Sequence, residues 1–244
     1  MSRWPATSEP IEAAVATAST AALLASLRRQ PLLVVLRPEQ PLAAAPLLGR
    51  LQALGVCHVE LAWQPSPGWS DQMGQLIALF PQLALGAASI TELSALKAAI
   101  AAGCGYGVSP ILDPQLLQAA RDAGFTLVPG VMSPSEVHRA RQCGSALVKL
   151  FPAAPLGPGY WRRLQDPLGP PLPFCIAAGG LAPADVLTWL AAGVDAVALG
   201  SALLTGVSAQ QQSPTSSGAD RLEDGFDPAP LQALLAGLRV GLNP

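Results

Sequence analysis

A short apolar run recurs eight times along the chain, at Leu32–Leu36, Cys57–Leu61, Leu83–Ala87, Gly105–Ser109, Phe125–Pro129, Ala146–Leu150, Phe174–Ala178 and Asp195–Leu199. Successive runs start 25, 26, 22, 20, 21, 28 and 21 residues apart. Each interval has room for one strand, one helix and two short loops. The runs are apolar almost throughout rather than alternating, as strands are when both their faces are covered. Eight such βα units predict an α/β fold, a (β/α)8 TIM barrel. The 244 residues suffice for one barrel, and a hydrophobic content of 50% supplies its core.

Local signals agree with this division. Gly55, Gly103, Gly124, Gly144 and Gly193 stand where helices would end before strands. Ser89 with Glu92, and Ser133 with Glu136, have capping-box spacing, and Asp113-Pro114 and Ser133-Pro134 place a cap before a proline at the first helical position. Helices are expected near 40–54, 70–80, 90–102, 113–123, 133–143, 159–165 and 183–192, with a further one over 11–29 before the first strand. Residues 1–10 read as a mobile N-terminus and 11–205 as the barrel domain. Residues 206–229, rich in Gln, Ser, Pro, Asp and Gly, read as a disordered linker. Residues 230–244 carry a last apolar helix, over 230–240, that can dock back on the barrel.

Several function classes are excluded at this level. Charged residues are 12% and the net charge is −2, so no basic field exists for nucleic acid. No apolar stretch approaches the ~18 residues of a membrane span, and no secretory leader is read. Cys57, Cys104, Cys143 and Cys175 lack C-x-x-C spacing, and with two histidines in the chain no metal site is expected. Reduced thiols in a cytoplasmic protein are the expectation.

In a barrel of this kind, chemistry sits where the strands end. Three strand ends carry charge: Arg37, Glu60 and Lys149. The chain has two lysines against twelve arginines. Lys97 falls on a helix, whereas Lys149 stands inside Ala-Leu-Val-Lys-Leu-Phe-Pro. A buried ammonium needs a partner or a lowered pKa. A neutral amine in an apolar cavity is a nucleophile for carbonyl carbon, and the structural alternative is a pair with Glu60. Strand alternation puts His58 and Glu60 on one face. Glu60 can move protons beside such an amine or simply pair with Lys149 or Arg37. His58 reads as a hydrogen-bonded core residue and His138 as a solvated one. Ser89 fits a helix cap better than a pocket-facing hydroxyl on spacing alone. Gly179-Gly180 after the seventh strand and Gly200-Ser201 after the eighth are placed as the phosphate-binding loops of such barrels are. Phe151-Pro152 reads as rim structure.

The residues also form an ordered series: Leu-Arg at 36–37, Val-Glu-Leu at 59–61, Gly-Ala-Ala-Ser at 86–89, Val-Ser-Pro at 108–110, Val-Pro-Gly at 128–130, Val-Lys-Leu-Phe-Pro-Ala at 148–153, Ala-Gly-Gly-Leu at 178–181 and Leu-Gly-Ser at 199–201. This series resembles the 2-keto-3-deoxy-6-phosphogluconate (KDPG) aldolase and 4-hydroxy-2-oxoglutarate aldolase family over roughly residues 25–205. The resemblance implies a class I aldolase, a carbon–carbon lyase without cofactor or metal and a homotrimer, which cleaves KDPG to pyruvate and glyceraldehyde 3-phosphate. It implies Lys149 as the Schiff-base residue and Glu60 as the general acid/base. Arg37, Ser89, Gln64, Phe151 and Pro152 become the candidate substrate-binding residues, and Gly179, Gly180, Gly200 and Ser201 the candidate phosphate-binding residues. Ser89 corresponds to a family threonine on the pyruvyl carboxylate.

The departures define the alternatives. Gln64 replaces a family arginine on the substrate carboxylate, a loss of about 2–4 kcal/mol unless Arg37 compensates. Ala88 replaces a glycine, Ala154 a common acid, and Ala178 a threonine whose loss relaxes stereochemical selection at C4. A divergent phosphate-binding barrel (an isomerase or synthase, or a non-catalytic ligand-binding protein) is the alternative reading.

Overall fold

The computed structural model describes residues 18–200, 203 and 226–241. Nine strands, with helices between all but the fifth and sixth, are β1 Leu32–Leu36, β2 His58–Ala62, β3 Ala84–Ala88, β4 Gly107–Val108, β5 Leu127–Val128, β6 Gly130–Val131, β7 Leu147–Leu150, β8 Phe174–Ala178 and β9 Ala196–Leu199. All observed pairings are parallel, in the order β5-β4-β3-β2-β1-β9-β8-β7-β6. The two ends of that order, β5 and β6, are consecutive in the chain, so the sheet curls into a nearly closed barrel. It is the TIM-like α/β architecture that the repeat predicts.

Eight runs become nine strands because the fifth is interrupted at Pro129. Its first half pairs with β4 and its second with β7. Proline has no N–H to donate, but its carbonyl accepts from the Lys149 N–H at 2.8 Å. The chain steps there from one neighbour to the other. An added Cβ at Gly130 would lie 2.3 Å from the Pro110 carbonyl, so only glycine fits the step.

The helices between strands are α2 Ala45–Leu54, α3 Trp69–Leu79, α4 Leu93–Ala101, α5 Pro114–Asp122, α6 Pro134–Gln142, α7 Gln165–Leu168 and α8 Val186–Ala191. Asp113 caps α5 through the N–H groups of Gln115 and Leu116, and Ser133 with Glu136 closes a capping box on α6. Gly55 ends α2 at φ 88°. Two expectations need correction. The helix expected over 159–165 is broken into a 3-10 turn at Arg162–Leu164 and the four-residue α7, because Pro155, Pro158 and Pro167 with Gly157 and Gly159 interrupt the segment. Ser89 does not cap α4: the helix starts four residues later, with Glu92 as its N-cap residue.

Alternation along the strands divides the apolar residues between two cores. Val34, Leu36, Val59, Leu61, Val148, Leu150, Val197 and Leu199 face the helices. Leu33, Val35, Ala62, Ala88, Tyr106, Val108, Val128, Leu147, Ile176, Ala178, Ala196 and Ala198 fill the barrel. Helix α1, Ala18–Arg29, closes the end of the barrel where the strands begin. Its Leu23 and Leu27 belong to the inner core, and the Ser26 hydroxyl meets His58 Nε2 at 2.8 Å. Thr126 is held there by the Ser19 and Thr20 hydroxyls at 2.8 and 2.9 Å. A last helix, Pro228–Gly241, buries Leu231, Leu234, Leu235 and Leu238 in the outer core. The expected mobile N-terminus and nearly all of the expected linker lie outside the described residues. Among the described residues, no helix is long and apolar enough to cross a membrane, and all four cysteines are free thiols.

Candidate active site

The inward positions of β1, β2, β7, β8 and β9 place the chemistry. A cavity of about 200 Å³ at the strand C-termini is lined by Val35, Arg37, Lys149, Phe151, Ala178, Gly179, Gly180, Leu181, Ala198 and Gly200. Lys149 is inward because its neighbours Val148 and Leu150 are the outward ones. It is 5% exposed, and its Nζ stands 5.0 Å from the centre of the Phe151 ring. Burial pulls the lysine pKa below its ordinary value; Glu60 opposes this and Arg37 adds to it. The amine is therefore more readily neutral than a surface lysine.

Glu60 is 1% exposed and is the β2 residue paired with Val35 and Gly86. Burial pushes its pKa up to about 7, against the attraction of Lys149 and then Arg37. Its Oε2 has no hydrogen-bond partner. An amine with a depressed pKa and a carboxyl with a raised one, in one apolar chamber, form the kind of pair used for proton transfer near neutral pH.

Arg37 reaches past the end of β2, and its Nη1 donates to Ser89 Oγ at 3.0 Å. Ser89 adopts φ 63°, the only positive φ found at a non-glycine residue among the described ones. A left-handed serine is uncommon, and here it turns the hydroxyl toward Arg37 instead of a helix terminus. Gln64 does not join this group. Its side-chain amide donates to the Pro38 carbonyl at 3.0 Å, and it lines a second cavity of about 240 Å³ with Trp63, Ser66, Trp69 and Asp71.

Gly179 and Gly180 have φ of 97° and 79°, conformations open to glycine. An added Cβ at Gly179 would lie 2.9 Å from the Phe151 ring, so this loop sits directly on the rim formed by Phe151 and Pro152. Ser201 lies outside the described residues. His58 is a core histidine as read: Nδ1 lies 3.1 Å from the Leu32 carbonyl, and burial lowers its pKa to about 4. His138 is exposed. Among the described residues no group of three His, Cys, Asp or Glu side chains could hold a metal ion.

One inward residue was not singled out in the sequence. Tyr106 is 1% exposed inside the barrel, beside Glu60 electrostatically. Its flanking glycines, Gly105 and Gly107, were the available signal, but its neighbour became visible only with the strand register.

Residues 23–215 match the family model described as "Aldolase: KDPG and KHG aldolase". The chain is 28% identical over 174 residues to the 2-dehydro-3-deoxy-6-phosphogalactonate aldolase of Escherichia coli strain K12, covering 71% of this chain and 84% of that one. It is 30% identical over 161 residues to the 2-dehydro-3-deoxy-phosphogluconate aldolase of Pseudoalteromonas atlantica strain T6c, covering 66% and 74%. The fold is similar to a solved structure described as native KDPGal, with a TM-score of 0.68 at 23% identity, covering 87% of this chain and 95% of that one.

Proposed function

The chain belongs to the KDPG and KHG aldolase family and is a carbon–carbon lyase; from that premise we propose that it is a Schiff-base aldolase with Lys149 as nucleophile and Glu60 as general acid/base. The proposed reaction is cleavage of KDPG to pyruvate and glyceraldehyde 3-phosphate, with 4-hydroxy-2-oxoglutarate as a further substrate. The proposed assembly is a cytoplasmic homotrimer. The observation that carries the reading is Lys149, a buried amine with a lowered pKa that opens onto the cavity at the strand ends.

Neutral Lys149 Nζ attacks the C2 carbonyl, and protonated Glu60 gives its proton to the carbinolamine hydroxyl, which leaves as water to give an iminium and the Glu60 carboxylate. Glu60 carboxylate takes the proton of the C4 hydroxyl. The C3–C4 bond breaks, its electron pair moves into the iminium to give an enamine, and the aldehyde leaves. Protonated Glu60 returns its proton to C3, and hydrolysis releases pyruvate and the free amine. The Arg37 guanidinium, held by Ser89, takes the substrate carboxylate in place of Gln64, which is turned to Pro38. Phe151 walls the cavity, and Pro152 packs beside Gly179 at its rim. Gly179, Gly180, Gly200 and Ser201 receive the phosphate through loop N–H groups. Ala178, which presents no hydroxyl at the cavity wall, leaves the configuration at C4 weakly selected.

The test is borohydride reduction in the presence of pyruvate, followed by peptide mass mapping. The chain has two lysines, Lys97 and Lys149, and Lys97 is exposed on α4. A reduced pyruvyl adduct on Lys149 is expected, and Lys149→Ala should abolish both the adduct and cleavage. An unmodified Lys149 in an active preparation would refute the Schiff-base reading.

A further inference from the structure

Two buried polar atoms in the barrel, Glu60 Oε2 and the Tyr106 hydroxyl, have no hydrogen-bond partner. Buried polar groups in folded proteins are nearly always satisfied, so two orphans in one chamber call for a common cause. Register supplies it. Glu60 is paired with Gly86 on β3, and Ala87 is paired with Gly107 on β4, which sets Tyr106 beside Gly86. The Tyr106 backbone carbonyl accepts from the Ala87 N–H at 3.1 Å, fixing that level. A Cβ added at Gly86 would lie 2.6 Å from Cζ, the ring carbon that carries the hydroxyl. The ring thus lies across the place that a side chain on β3 would fill. The hydroxyl on Cζ is thus carried over β3, the strand that pairs with β2 at Glu60 with a spacing of about 4.8 Å. Any larger residue at position 86 would hold the phenol off.

We propose that Tyr106 is a positioning residue for Glu60: its hydroxyl donates to Oε2 when the carboxylate forms and fixes that group in the orientation for proton transfer. The inference rests on the role of Glu60 proposed above. Glu60 faces Lys149 from β7, Arg37 from the end of β1 and His58 on its own strand; Tyr106 faces Glu60 and, near its own strand, Cys104. Lys149 and Arg37 are the cations of the cavity wall and the His58 ring is occupied by Leu32 and Ser26. Burial, then the charge of Glu60, pushes the phenol pKa well up, so the hydroxyl keeps its proton and can only act as a donor to the carboxylate.

Tyr106→Phe removes the hydroxyl and keeps the ring over Gly86. We expect kcat to fall about tenfold and the acid limb of kcat/KM to move up by about one pH unit, because the carboxylate loses a donor. KM for the keto acid and borohydride trapping at Lys149 should persist. A wild-type kcat with an unmoved acid limb would overturn the proposal. A second measurement needs no Tyr106 variant. With 13Cζ-labelled tyrosine the protein shows two signals, from Tyr106 and Tyr160, which Tyr160→Phe assigns. The Tyr106 signal should shift as Glu60 titrates near pH 7 and stay fixed in Glu60→Gln; a signal flat with pH in the unaltered enzyme would overturn the proposal. Turnover retained in Glu60→Gln would remove the Glu60 reading itself and this inference with it. An inactive Glu60→Gln beside an unaffected Tyr106→Phe would remove this inference alone.

Discussion

At the scale of single residues, the substitution of one polar group for another is decided by where the side chain is tied. Gln64 stands four residues after Glu60, where the family resemblance implies a carboxylate clamp, but its amide donates to the Pro38 carbonyl and it lines another cavity. Arg37 stands at the mouth of the lysine pocket and is oriented by Ser89. The fork of a guanidinium suits a carboxylate, and an amide brings neither the charge nor the two parallel donors. Arg37→Ala should therefore raise KM for pyruvate in the condensation direction roughly 30-fold, about 2 kcal/mol, with kcat changed less. Gln64→Ala should leave KM within about twofold, since a group outside the pocket contributes little transition-state binding. Steady-state kinetics on both variants checks this. The reverse ranking would return the carboxylate to Gln64 and leave Arg37 as a rim residue.

At the scale of elements, the units and most of their ends were legible, because apolar runs and caps act locally. Ser133 and Asp113 cap the helices that follow them, with Glu136 closing the box from inside α6, as their spacing predicts. Lys149 was legible too, since a lysine in an apolar run must be explained. The helix expected over 159–165 was lost to prolines and glycines inside its own segment; in the other misreadings a tertiary partner overrode a local signal. Ser89 has cap spacing, yet the arginine from the end of β1 claims its hydroxyl and the backbone turns left-handed. The fifth run reads as one strand, yet closing the barrel splits it at Pro129. Tyr106 acquires a neighbour only through the register of three strands. Helix α1 shows the same dependence in its stability. Leu27 is 0% exposed against the inner core, so α1 is held by the barrel more than by its own propensity. Leu27→Ala should lower unfolding free energy by about 3 kcal/mol, read from denaturant midpoints at unchanged m-value. A loss under about 1 kcal/mol would mean that α1 does not plug the barrel.

At the scale of the whole molecule, the two ends of the barrel interior carry titratable groups with opposite pH demands. His58, beside α1, has its pKa lowered to about 4 by burial, so folding favours its neutral form. Its contribution is fully present above the unfolded value of 6.5 and is lost as pH falls toward 4. Glu60, one pleat nearer the cavity on the same strand, has its pKa raised to about 7, so folding favours the protonated carboxyl. Its contribution is fully present below 4.5 and is lost as pH rises toward 7. Each slope is about 1.4 kcal/mol per pH unit, and between pH 4.5 and 6.5 they oppose one another. Other groups titrate alike in the wild type and its variants, so differences isolate these two. Relative to wild type, Glu60→Gln should gain stability with rising pH across that window, by about 3 kcal/mol at most. His58→Gln should lose stability with rising pH over the same window. Unfolding midpoints at pH 4.5, 5.5 and 6.5 decide the matter. Parallel curves for Glu60→Gln and wild type would show that Glu60 ionises in the fold as it does in water, and would remove the basis for an acid/base group poised near neutrality.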